Sequence, residues 1–161
     1  MRSLKKKILF LLIICILLFL GYYRDFVFKN INALLKAWDF NMDYSMPLSL
    51  GFLKNYNYDM LVNIKWLLTL LFSLIYMSVA IITINLFFKN RNYIKITIAV
   101  YIGITILSGL FIAVGYLVEG SSEKMYEFAR YLMGMLQSPI ILMILIPAFK
   151  LSEKENKNIT N

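Results

Sequence analysis

Residues 66–88 run for 23 positions without a charged side chain, and residues 95–118 are as bare after Lys95. A helix of 23 residues rises about 35 Å, enough to cross a hydrocarbon core of about 30 Å with some tilt. Two further apolar runs occupy residues 8–23 and 130–149. Charged residues make up 16% of the 161-residue chain, against about 25% in soluble domains. They cluster between the apolar runs instead of interleaving with them. The pattern predicts an all-α fold: one membrane domain over residues 1–161. Its four transmembrane helices fall at about 8–23, 64–88, 95–118 and 130–149.

The first run follows a basic start, MRSLKKK. A charged segment before an apolar one is also the pattern of a secretory signal. The run ends in Gly21-Tyr22-Tyr23-Arg24, with no small-x-small cleavage site. Cys15 is preceded by Ile13-Ile14, where a lipoprotein signal needs a small residue. An uncleaved first helix is therefore expected. Its sixteen residues rise about 24 Å, and snorkelling by Lys5, Lys6 and Lys7 makes up the difference.

Residues 24–58 form the outer loop. Val27, Ile31, Leu34, Leu35 and Trp38 recur at helical spacing, with Lys29, Asn32 and Lys36 elsewhere. That spacing predicts an amphipathic interfacial helix between transmembrane helices 1 and 2, its tryptophan suited to the headgroup region. A partner-docking surface is the other reading. Met46-Pro47 breaks the pattern, and residues 48–57 read as an aromatic-rich connector.

Asp59 is placed to cap the second helix. Residues 89–92 form a short loop into the third. There Ala99, Gly103, Thr105, Gly109 and Ala113 are spaced for close helix packing. Residues 119–127 read as an acidic loop, with Ser121 or Ser122 capping the fourth helix. The tail, residues 151–161, is polar and expected to be mobile.

With the N-terminus inside, ten basic residues lie on the inner side: Arg2, Lys5, Lys6, Lys7, Lys89, Arg91, Lys95, Lys150, Lys154 and Lys157. Seven lie outside, balanced by seven of the nine acids, so the net charge of +8 falls on one face. The positive-inside rule then puts both termini in the cytoplasm, with anionic lipid at that face. The same distribution speaks against a nucleic-acid partner.

There is no histidine and one cysteine. The commonest general base and metal ligand is thus missing, and neither a metal site nor a cofactor is expected. No ionisable side chain is expected at mid-depth, where such groups persist for use. No catalytic residue is assigned. Thr69, Ser73, Ser78 and Thr83 are expected to bond their own helix carbonyls.

The candidate structural or partner residues are Arg24, Asp25, Trp38, Arg130, Gln137, Pro139 and Pro147. Asp25 and Arg130 either pair at the outer boundary or snorkel independently. Arg130 and Gln137, seven apart, should share a face of the fourth helix. Pro139 should kink that helix against the Met135 carbonyl. Gln137 would then satisfy a freed carbonyl or a neighbouring helix, or mark a ligand or partner site.

Arg130 and Leu132, then Gln137-Ser138-Pro139-Ile140 and Leu145-Ile146-Pro147-Ala148-Phe149, resemble the C-terminal signature of a small family. These are the four-helix exosortase F system-associated proteins, encoded beside exosortases in Bacteroidota. Arg24-Asp25-Phe26 and the order of helices are similar too, while Phe28-Lys29-Asn30-Ile31-Asn32 departs. The resemblance implies an accessory role at the bacterial inner membrane and no catalytic residues. The expected function is a non-enzymatic accessory or scaffold protein that binds a membrane partner, or forms a homo-oligomer, through the outer loop and the helix-4 face. The alternatives are a small transporter or channel subunit lined by Gln137 and Asn85, and an outer-face enzyme on a lipid-linked substrate. The enzyme would use Asp25, Asp39, Asp43 or Asp59 with Arg24 and Arg130.

Overall fold

The computed structural model describes residues 2–118 and 122–159, with side chains over 8–118 and 123–155. Every regular element among them is helical: α1 (Arg2–Asp39), a 3-10 helix (Leu48–Asn55), α2 (Tyr58–Phe88), α3 (Arg91–Leu117), α4 (Ser122–Leu136) and α5 (Ile140–Ile159). Three helices are long and apolar enough to cross a membrane, and a fourth span arises if the bent pair α4–α5 counts as one. The chain divides into two compact units, Met1–Phe72 and Ser73–Asn161, so the break falls within α2.

In the first unit, α1 runs unbroken for 38 residues, about 57 Å. The expected division into a span and a separate interfacial helix at residue 24 is absent. Nothing local enforces it: residues 20–27 contain one glycine and no proline. The helix stops at Asn41, whose φ of 52° is left-handed. Met42 N–H donates to the Ala37 carbonyl (2.8 Å) and Asn41 N–H to that of Trp38 (3.4 Å), a Schellman cap with asparagine in the usual glycine position.

The amphipathic stripe of α1 is buried by the protein itself. Val27, Ile31, Leu34 and Leu35 form a core with Leu50 and Leu53 of the 3-10 helix and Leu61 of α2. The expected connector is thus an ordered lid over that stripe. Asn30 ties it down: its Oδ1 accepts from the Tyr44 hydroxyl at 2.9 Å, and its Nδ2 donates to the Phe26 carbonyl at 2.7 Å. Phe72 closes the other side against Tyr23 and Phe28.

Asp59 lies inside the first turn of α2 and not at its cap; Leu61 N–H donates to the Asn57 carbonyl. At the far end Lys89 takes a φ of 51°, and Asn90 caps α3 by accepting from Asn92 N–H at 2.9 Å. The turn is two residues long.

In the second unit, α3 buries Tyr93, Thr97, Tyr101, Ser108 and Gly115. The small residues expected at helix contacts, Ala99, Gly103, Thr105, Gly109 and Ala113, are all exposed. A Cβ at Gly103 or Gly109 would meet nothing within 4 Å. Close packing is instead between α3 and α4. Phe88, Tyr93 and Phe149 form a triad of ring contacts at 4.3–5.8 Å that joins the end of α2, the start of α3 and α5.

The expected fourth helix is two helices bent by 60°. Glu127, at the end of the expected acidic loop, lies in α4, and Glu123 lies in its first turn, where its charge was expected to be favourable. Of the two expected cap residues, Ser121 lies outside the described residues. The tail, expected to be mobile, continues α5 to Ile159. Pro147 sits within α5 and borders a depression of about 520 Å³ with Lys150, Leu151, Glu153 and Lys154.

Candidate partner-docking face of α4

The bend positions the site, and Ser138 makes the bend. Its hydroxyl donates to the Met135 carbonyl (2.8 Å) and accepts from Ile140 N–H (3.4 Å). Pro139 follows directly before α5, where its missing N–H costs nothing. Ser138-Pro139 is therefore a stop and a restart, with serine as the cap. Met135, whose carbonyl proline was expected to crowd, is served by both the N–H and the hydroxyl of Ser138.

Gln137 turns inward at the break. It is 3% exposed and its Nε2 donates to the Ser73 hydroxyl of α2 at 3.3 Å. Arg130 is exposed. The two, expected on one face, stand in different surroundings: Arg130 is open and Gln137 is enclosed. Thr69, Ser78 and Thr83 bond their own helix carbonyls as expected, at 2.7–2.8 Å.

One face of α4 packs on α3. The Ser108 hydroxyl donates to the Ala129 carbonyl at 3.0 Å, and Phe111 meets Phe128 edge-on at 4.6 Å. Ser108 is the thirteenth of the twenty-three uncharged residues at 96–118. Ala129 is thus level with the centre of that apolar stretch, and Arg130 follows it. The expectation that Arg130 stands at the entrance of the fourth helix is corrected: eight residues of α4 precede it. It assumed a helix beginning at residue 130, whereas α4 begins at Ser122 and runs antiparallel along α3. Glu127 lies about 4.5 Å from Arg130 along the axis, and Lys124 about 9 Å.

The opposite face of α4 is polar and open. Lys124, Glu127, Tyr131 and Gly134 follow one another at spacings of 3, 4 and 3, and Ser138 lies just beyond the end of the helix. With Arg130 they line a groove of about 680 Å³ whose apolar walls include Phe128, Met135 and Ile140. Among the described residues, no ion pair or hydrogen bond engages the Arg130 side chain. An arginine at the centre of a lipid-exposed helix costs about 2.5–3.5 kcal/mol on insertion scales.

The other candidates lie in the first unit. Arg24 pairs with Asp25 at 3.5 Å and stands over the Phe28 ring at 5.9 Å. Asp25 is 59% exposed, so the pair adds little. Trp38 is half-exposed and borders a depression of about 310 Å³ with Asn41, Asp43, Tyr44 and Lys54.

Sequence reasoning did not single out the buried hydroxyls of the second unit. Tyr76, Thr97, Tyr101 and Ser108 are all below 4% exposed. Their signal was available: Thr97, Tyr101 and Ser108 fall on one stripe of α3, four and seven apart. No family model, curated protein or solved structure matches the chain.

Proposed function

We propose that this is a non-enzymatic accessory or scaffold protein of the bacterial inner membrane. It binds a membrane partner through the α4 groove, with the Trp38 surface of the outer loop as a second contact. The observation that carries this reading is an exposed, charged groove level with the centre of an apolar span. Charge at that depth persists where something covers it. The ten basic residues on one side support cytoplasmic termini and contact with anionic lipid there. The resemblance in the last helix points to the same accessory role.

The test is photo-crosslinking in native membranes, with the reactive group placed at Tyr131, at Trp38 and at Ile102 as an exposed α3 control. Discrete protein adducts at Tyr131 and Trp38, absent at Ile102, are expected. Equal adducts at all three positions, or none at Tyr131, would overturn the reading.

A further inference from the structure

We infer that the α4 groove seats a transmembrane helix of a different protein, one that carries a carboxylate level with Arg130. The inference rests on the accessory reading and names the chemistry of its partner. Three observations lead to it. Lys124, Glu127, Tyr131 and Gly134, spaced 3, 4 and 3, share one face of α4 along which a second helix can lie. Gly134 within it lets a second backbone approach closely. Arg130 borders that face, exposed and unpaired among the described residues. Within a membrane, a cation of this kind pairs with an acid or with backbone carbonyls.

Depth argues against a lipid headgroup. Phosphates sit at the edge of a core about 30 Å thick, roughly 15 Å from its centre. Arg130 adjoins Ala129, at the centre of the uncharged stretch of α3. Symmetry argues against a second copy. A two-fold axis along the membrane normal sets the same residue against itself, so Lys124 would face Lys124 and Glu127 would face Glu127. A heterologous helix avoids both clashes.

The experiment uses the full-length chain in phosphatidylcholine vesicles, with a fluorophore on a C-terminal tag. The probes are three leucine-rich transmembrane peptides with glutamate, leucine or lysine at the centre, each carrying an acceptor dye. The glutamate peptide should bind at least tenfold tighter than the other two. Arg130→Gln should remove that preference, and Arg130→Lys should retain part of it. Equal binding of the glutamate and leucine peptides to the unaltered chain would overturn the inference, and this comparison needs no variant to fold. So would a glutamate preference that survives Arg130→Gln. Co-purification of a phosphate-bearing lipid that is lost in Arg130→Gln would also overturn it, as would self-association through Tyr131. A Tyr131 adduct to another protein, combined with no glutamate preference, would sink the carboxylate assignment and leave the accessory reading standing. Loss of the adduct itself would sink that reading.

Discussion

The hydroxyl of Ser108 donates to the carbonyl of Ala129 across 3.0 Å, and this bond sets Arg130 level with the middle of α3. Ala129 is 1% exposed and Ser108 2%. Both are enclosed where α3 packs on α4. Ala129→Leu should therefore push the helices apart and cost about 1–3 kcal/mol. Ser108→Ala removes one interhelical bond, worth about 0.6 kcal/mol in membrane bundles. Unfolding in mixed micelles would measure both. A larger loss for Ser108→Ala than for Ala129→Leu would show that the hydrogen bond, and not close packing, joins the helices.

Gln137 and Ser73 form a buried polar contact between the α4–α5 break and α2. Gln137→Leu and Ser73→Ala each remove this contact and should each cost about 1 kcal/mol. The double variant should cost clearly less than the two combined. A double-mutant cycle gives the coupling energy directly, and strict additivity would mean that the 3.3 Å contact contributes nothing.

At the bend, the cap and the proline have separable roles. Ser138→Ala removes the side chain that serves both Met135 and Ile140 and should destabilise by about 1 kcal/mol. Pro139→Ala should change stability by less, because a first-turn position needs no N–H donor. Spin-label distances between exposed positions 126 and 151 should stay near the native value in Pro139→Ala. A lengthened distance there would show that the proline, and not the serine cap, makes the 60° bend.

In the first unit, the Tyr44 hydroxyl holds the segment after α1 to that helix through Asn30. Tyr44→Phe should cost about 1 kcal/mol, since the buried Asn30 oxygen loses its donor. Residues 40–47 should then be cut faster by protease in membrane vesicles. Leu53→Ala, at a position 3% exposed in the Leu50–Leu53–Leu61 core, should cost about 2–5 kcal/mol and expose the same segment further. Unchanged cleavage in both variants would mean that the lid over α1 opens independently of that core.

Local chemistry was legible along the chain. The uncharged runs dictate helices of membrane-crossing length, because a helix satisfies every backbone group within its own segment and each run is too long for a barrel strand. The break near Pro139 and the turn at residues 89–90 follow from residue types alone. The stripe of Val27, Ile31, Leu34 and Leu35 announced one buried face. What lay against that face was not legible. Lipid tails and packed side chains are equally apolar, so a stripe suited to the membrane surface was instead buried by the 3-10 helix. The same ambiguity hid the α3 seam: its small residues face outward, and its hydroxyls face in. Depth was hidden as well. From sequence Arg130 stood at the start of a helix, and its position followed from where that helix was taken to begin. Only the antiparallel fit of α4 on α3, joined at Ser108 and Ala129, brings it level with the centre of an apolar span. Sequence decides which segments are helical. Tertiary packing decides which face each helix buries and how deep its charges lie.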